Sequence, residues 1–349
     1  KDVPLKGPSE FRVIGTPAPR LDVPAKTTGE AIFGMDAGPS DTRVAVVARS
    51  PVFGGVLRAF DPTGALEVDG VDEVVELKSG IAVVADGYVA AKEGRDLLTV
   101  EWADGEWSTL DDTEISDLLK EAADQDGATV REEGDVDSVL TSDREQTRAA
   151  YTLPYLAHAT MEPMNCTAWV RNGRCTVWAP TQFQNAPGLV GGGARQVAAK
   201  AAGVSADNTV VHTTFLGGGF GRRAEQDFVR EAAELAGKVD GPVKVIWTRE
   251  DDMQHDFYRP ASYHDLSAIL GVDGMPEAWC HRIASQSILQ RMVPSWVPDF
   301  ATNWAGTSDP TSTEGAQDQP YHIPNVRVTY SKVDLPVPVG FWRSVGHTQ

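Results

Sequence analysis

Residues 213–223 read TTFLGGGFGRR, with Gly217, Gly218, Gly219 and Gly221 grouped around Phe220 and followed by Arg222 and Arg223. Glycine costs roughly 0.5–1 kcal/mol relative to Ala inside a helix or strand, so this density needs a reason. One reason is chemical. A glycine loop between a strand and a helix offers backbone N–H groups to an anion, the helix dipole favours negative charge there, and two arginines add charge-assisted donors. The other is geometric: the glycines permit a tight turn and close packing. The loop is not a P-loop, because no GK[ST] follows. Nor is it the dinucleotide fingerprint, since GxGxxG needs a glycine where Arg222 or Ala224 stands. On residue chemistry the loop reads as a wall for an anionic cofactor.

Three other segments carry polar groups in notable places. LAHATMEPMNCTAWV sets His158 and Glu162 in a mostly apolar, strand-like context; each also reads plainly, as a satisfied core histidine and as the partner of an arginine. WAPTQFQNAP puts Gln182 just past a strand end, where ligands collect in α/β folds. PVPVGFWRSVGHTQ sets Arg343 beside Trp342 with Gly346 behind. Tyr258 and Arg259 in FYRPAS face either a pocket or a structural ion pair. Metal ligation by side chains is not indicated. The three cysteines form no CxxC pair and fall short of the four thiolates of an iron–sulfur cluster, and the seven histidines show no HxH or HExxH spacing.

The elements that must position these residues follow from periodicity. TRVAVVARSPV and GIAVVAD are short β-type runs, and YVAAKEGRDLL between GIAVVAD and LTVEW has helical spacing. STLDDTEISDLLKEAADQ places Ile115, Leu118, Leu119 and Ala122 on one helical face, with Thr109 and Asp112 as its N-terminal cap. Runs such as EEGDVDS around it read as a solvated acidic linker over 106–146. From Ala149 the order is strand, helix, strand, glycine loop, helix, strand, with Gly203 closing the first helix. The formal net charge of −19 argues against a nucleic-acid surface, and no apolar run reaches the ~18 residues of a membrane span. The opening KDVPLKGPSE has neither Met nor an apolar core, and reads as an interior start.

Six ordered motifs, GTPAPRLDVPAKTTGEAIFGMD, YLAHATMEP, APTQ, GGGFGRR, WTREDDMQHDFYRP and GFWRSVGH, run through nearly the whole chain. Together they resemble the molybdenum-binding large subunit of the xanthine oxidase family, in the branch of isoquinoline 1-oxidoreductase beta subunits and membrane-linked aldehyde dehydrogenases. The resemblance implies an α+β fold: an extended lead-in over 1–24, an α/β-hammerhead domain over 25–105, the linker, and part of a molybdopterin-binding domain over 147–349. It implies a molybdenum pyranopterin in the cytosine dinucleotide form, with the metal held by dithiolene sulfurs rather than by protein. Gly217, Gly218, Gly219, Phe220 and Gly221 would lie against the cofactor, as would Gly346. Gln182 would hydrogen-bond an oxo group, and Arg343 would stand beside the active-site oxygens. Arg222 and Arg223 stand where the wider family has Gly-Lys, and both are expected to pair with cofactor phosphate, Arg222 being counted among the cofactor-binding residues.

The implied reaction is oxidation of an N-heterocycle or aldehyde, a small-molecule substrate, with oxygen from water. Electrons would leave to a small subunit carrying two [2Fe-2S] clusters and onward to a cytochrome subunit, in the periplasm. The family's glutamate base belongs to a later motif, so the chain is expected to be part of a longer subunit, and neither Glu162 nor Glu225 takes that role. Gly191–Gly193 departs from the family as a loop insertion. The alternative reading is a cofactor-free binding or interaction module, or an inactive fragment of such a subunit.

Overall fold

The computed structural model describes residues 3–186, 192–292 and 309–347. In chain order its strands are β1 (Arg43–Ala48), β2 (Val56–Asp61), β3 (Val71–Leu77), β4 (Gly80–Ala85), β5 (Thr99–Ala103), β6 (Ala128–Glu133) and β7 (Gln146–Leu153). They continue as β8 (Asn165–Arg171), β9 (Arg174–Ala179), β10 (Thr209–Thr213), β11 (Val243–Ile246), β12 (Ser262–Leu270), β13 (Pro276–Ser285) and β14 (Asn325–Lys332). One sheet has the order β10-β9-β8-β11-β1-β4-β3, and a second the order β6-β14-β13-β12-β7. β2 and β5 form a separate antiparallel ribbon.

Period-two alternation explains the first sheet. In RVAVVA, Ala45 and Val47 join the core under helix Asp227–Ala236, packed with Phe228, Ala232 and Leu235. Val46 points the other way, onto Ala91 of helix Tyr88–Asp96. A strand covered on both faces reads as a continuous apolar run, and both β1 and the fully buried β4 (GIAVVA) do.

Within residues 25–105, β1 pairs in parallel with β11, Arg43 opposite Val243, so β1, β3 and β4 complete the sheet that carries β8–β11. One expectation about organisation is corrected. Residues 106–146 are not a solvated linker. Helix Asp112–Ala123 buries Ile115, Leu119 and Ala123 against Ala261 and Ala284, and β6 is an edge strand paired with β14. The acidic residues misled because they serve structure. Asp111, not Thr109, caps that helix by accepting from Glu114 N–H at 2.9 Å, while Glu132 and Asp137 both grip Arg327.

Helix Ala194–Ala201 and the left-handed Gly203 behind it follow the sequence reading. Of the expected insertion, Gly191 lies outside the described residues, and Gly193 is the N-cap of that helix. The second sheet buries a histidine pair, His264 Nδ1 at 3.0 Å from His281 Nε2. Burial brings their pKa values down, to about 4 for His264 and about 3 for His281.

Candidate functional site

β9 and β10 run parallel with Ala179 opposite Thr213, so both strands end at the same sheet edge. The segment after β9 carries Gln182 and the segment after β10 carries the glycine loop, which places both at carboxyl strand ends. Gln182 Oε1 accepts from Gly221 N–H at 3.2 Å and Arg223 N–H at 3.3 Å. Those bonds fix which way the amide faces. The oxygen is used inside, and Nε2 is left as a donor without a protein partner among the described residues, on an exposed side chain.

The loop is shaped by protein contacts. A Cβ on Gly217 would sit 2.4 Å from Glu162 Cβ, and one on Gly219 2.5 Å from Gln182 Oε1. Gly218 and Gly221 have φ of 101° and 109°, and a Cβ on Gly221 would meet the Phe341 oxygen at 1.6 Å. Close packing therefore accounts for the glycines themselves. What the loop offers outward is main chain. Among the described residues the N–H groups of Gly218, Gly219 and Phe220 have no acceptor, whereas Gly217 N–H is taken by Glu162 Oε2 at 2.8 Å. Consecutive free N–H groups in a backbone of alternating hand form an anion-accepting concavity. Phe220 itself has φ of 55° and is 44% exposed at the loop tip.

The two arginines turn inward. Arg223, fully buried, donates to Gly218 O at 2.7 Å, Glu162 O at 2.6 Å and Pro180 O at 3.4 Å, and meets Glu162 Oε2 at 3.2 Å. Its own carbonyl accepts Gln182 N–H at 3.0 Å. One side chain thus ties the glycine loop to the Gln182 segment. Burial lowers its pKa to about 10, with Glu162 opposing, so it is charged at neutral pH. Arg222 makes a two-pronged pair with Asp227, both contacts 2.8 Å, and its Nε lies 2.8 Å from Asp256 Oδ1, out of line for a hydrogen bond. Burial works against its charge, but these carboxylates outweigh it and raise its pKa. The expected phosphate pairing is therefore corrected for both arginines: Arg222 is 1% exposed and committed to carboxylates, and Arg223 is fully buried against Glu162 and main-chain carbonyls.

Glu162 is a hook, with Oε1 taking Met35 N–H at 3.0 Å and Oε2 taking Gly217 N–H. Glu225 pairs with Arg291. Neither carboxylate faces the loop's free donors. His158 is buried, its Nδ1 2.9 Å from Asp256 Oδ2 and its Nε2 2.9 Å from Phe341 O. Arg259 donates to Pro154 O at 2.8 Å and lies 6.0 Å from the Trp342 ring, and Tyr258 Oη donates to Met253 O at 2.8 Å.

The contact of Gly221 with Phe341 brings the 341–343 segment to the loop. Arg343 is exposed and has no ion-pair or hydrogen-bond partner among the described residues. Ser344 and Val345 behind it have φ of 82° and 48°, and Ala159 beside His158 has 45°. Of the five non-glycine residues with positive φ among those described, four (Ala159, Phe220, Ser344 and Val345) thus cluster here, as strain at functional sites does. Gly346 does not join the loop. It packs on helix Pro310–Gln317, where a Cβ would sit 2.5 Å from Pro310 O.

Sequence reasoning missed the tie made by Arg223 and the roles of Asp256 and the Phe341 carbonyl. Asp256 was visible only as a lone acid among aromatics in QHDFYRP.

Isoquinoline 1-oxidoreductase subunit beta of Brevundimonas diminuta is 29% identical over 364 residues, covering 99% of this chain and 44% of that protein. The membrane-bound aldehyde dehydrogenase (pyrroloquinoline-quinone) of Gluconacetobacter polyoxogenes is 34% identical over 275 residues, covering 74% of this chain and 34% of that protein. Among solved structures, aldehyde oxidoreductase from Desulfovibrio desulfuricans superposes with a TM-score of 0.70 at 17% identity, over 98% of this chain and 41% of that one. Quinoline 2-oxidoreductase from Pseudomonas putida superposes with a TM-score of 0.69 at 16% identity, over 97% of this chain and 46% of that one. The chain therefore spans less than half the length of these relatives. Residues 120–349 match the molybdopterin cofactor-binding domain, and the chain belongs to that family, as the resemblance to xanthine oxidase-type molybdenum-binding subunits implied.

Proposed function

We propose that this chain forms one wall of a molybdopterin site in an oxidoreductase that oxidises an aldehyde or a nitrogen heterocycle. One observation carries the reading: the free N–H groups of Gly218, Gly219 and Phe220 and the free Nε2 of Gln182 lie on the loop and the segment it packs against, and the unpaired Arg343 follows two residues after Phe341, whose carbonyl abuts Gly221. Every one is a donor or a positive charge, the donor set that an oxo–metal group with anionic ligands requires. Bound there, the molybdenum cofactor would supply the redox centre for oxidation of an electron-poor carbon with water-derived oxygen.

The chain's own contribution is electrostatic and positional. Gln182 Nε2 donates outward because its oxygen is pinned by two N–H groups. Arg343 holds a full positive charge that no carboxylate among the described residues neutralises. The free N–H groups are prepaid donors, already oriented by Arg223 and Glu162.

We further propose the cytosine dinucleotide form of the cofactor, a periplasmic setting, and an iron–sulfur partner subunit with a cytochrome beyond it. The partner is supported by the thiols here: Cys166, Cys175 and Cys280 are all buried and unpaired, and burial raises each thiol's pKa, the reverse of what a metal-binding thiolate needs.

Two measurements on the full-length protein, made in a host that synthesises the cofactor, test the reading. Metal analysis should find about one molybdenum per polypeptide, with CMP released on acid hydrolysis; protein without molybdenum refutes it. Arg343→Ala should lower kcat/KM at least tenfold while shifting stability by less than about 0.5 kcal/mol, because nothing in the described fold leans on that side chain. Unchanged turnover removes Arg343 from the site.

A further inference from the structure

Three short extended segments lie side by side behind the glycine loop. Leu156 bridges to Arg259, and Tyr258 bridges to Val339. The ladder ends where Gly340 N–H donates to Tyr258 O at 2.9 Å. Beyond it, among the described residues, a single hydrogen bond reaches the main chain of 341–343 from outside the 341–347 segment: His158 Nε2 to Phe341 O, 2.9 Å. The same carbonyl abuts Gly221.

His158 cannot turn to release it easily. Its main-chain N–H donates to Asp256 Oδ2 at 2.5 Å, and its Nδ1 lies 2.9 Å from the same oxygen. Asp256 in turn accepts from Phe257 N–H at 2.7 Å and stands 2.8 Å from Arg222 Nε. Arg222 belongs to the turn that closes the glycine loop. The side chains of His158, Asp256 and Arg222 are each 1% exposed, so water does not loosen the circuit. It runs from the loop through Arg222, Asp256 and His158 to the Phe341 carbonyl, and back onto the loop at Gly221.

We infer that His158 and Asp256 are positioning residues for the proposed reaction: through the Phe341 carbonyl they set the main chain that carries Arg343 against the glycine loop. Neither touches substrate or cofactor in this role. The inference rests on the proposed function for its catalytic consequence, but the geometric part stands by itself. A shift of about 1 Å in a catalytic group can cost on the order of 100-fold in rate, which is the scale of effect at stake.

Two amide substitutions separate positioning from support. In His158→Gln the amide nitrogen reaches towards the Nε2 position and can still donate to Phe341 O. In His158→Asn it occupies the Nδ1 position, serves Asp256 and leaves Phe341 O unpaired. In full-length, molybdenum-loaded enzyme, His158→Asn is expected to lose kcat at least tenfold relative to His158→Gln, with KM changed less than threefold. Independently of the metal, hydrogen exchange of peptides covering 338–347 should quicken in His158→Asn and less so in His158→Gln. Equal losses in the two variants, or a worse loss in His158→Gln, overturn the inference. Should His158→Gln fail to fold, Gly221→Ala displaces the same carbonyl from the other side and must reproduce the His158→Asn exchange pattern; if it does not, the inference fails. Wild-type protein lacking molybdenum refutes the proposed reaction instead, and the exchange comparison still decides the geometry.

Discussion

Gly221→Ala isolates the contact on which the site is built. The added Cβ would lie 1.6 Å from Phe341 O and 2.5 Å from its carbonyl carbon, both main chain. No rotamer change relieves that clash. The backbone there has φ of 109°, which a side chain rarely adopts. Strain of this kind costs on the order of 1–3 kcal/mol, and overpacking a rigid site adds roughly 1–3 kcal/mol. The expected loss is therefore about 2–6 kcal/mol.

Gly241→Ala is the control. It has φ of 79° with nothing within 4 Å of its Cβ, so it carries the strain without the collision. Gly219→Ala is the counterpart in chemistry: its Cβ would meet Gln182 Oε1 at 2.5 Å, the far end of a flexible side chain. That variant should give way by dislodging Gln182, losing less stability than Gly221→Ala but more turnover per unit of stability lost. Urea unfolding of the three variants, compared at equal slope, gives the order. Gly221→Ala falling within about 0.5 kcal/mol of Gly241→Ala would refute the collision and with it the seating of Phe341 on the loop.

Arg222→Met leaves the buried Asp256 and the half-buried Asp227 without their shared cation, and should cost about 3–5 kcal/mol in urea unfolding. A loss under about 1 kcal/mol would show the arginine to be less committed than its geometry implies. The histidine pair sets an acid limit. Both pKa values, about 4 for His264 and about 3 for His281, lie below the ordinary 6.5, so the unfolded chain binds more protons between pH 6.5 and 4. Their contribution is intact above pH 6.5 and is lost as pH falls through that window, by at most about 1.4 kcal/mol per pH unit for each histidine. The double variant His264→Asn/His281→Asn should flatten the fall in urea midpoint between pH 7 and pH 5; an unchanged slope would place the acid sensitivity elsewhere.

Local order was legible because it depends on near neighbours. The periodicity of helix Asp227–Ala236, the strands on either side of the glycine loop and the Gly203 stop all come from spacings of a few residues. The sharing of one sheet by β1 and β11 was not legible, since an apolar run says that a strand is covered but not by what. Acidic stretches were misread for a related reason. Asp111, Glu132 and Asp137 look like solvated charge until the helix end and the arginine that use them are in place.

The same limit governs the arginines, and it decides what the site is. A guanidinium beside a glycine loop suits an external anion and an internal carboxylate equally well, and the sequence alone favoured the anion for both Arg222 and Arg223. Their carboxylates were closer at hand: for Arg222, Asp227 lies five positions on, and for Arg223 the partner Glu162 lies 61 positions back. In a chain of net charge −19, an arginine meets an internal carboxylate far more readily than a ligand, so pairing inside the protein is the ordinary outcome. Arg343 differs from Arg222 and Arg223. It is exposed, without a carboxylate partner among the described residues, and lies two residues after the Phe341 carbonyl that abuts the loop, on a main chain whose next two residues are strained. Leaving a positive charge unpaired two residues from that contact, at a cost in backbone strain, makes sense where negative charge arrives from outside the described fold.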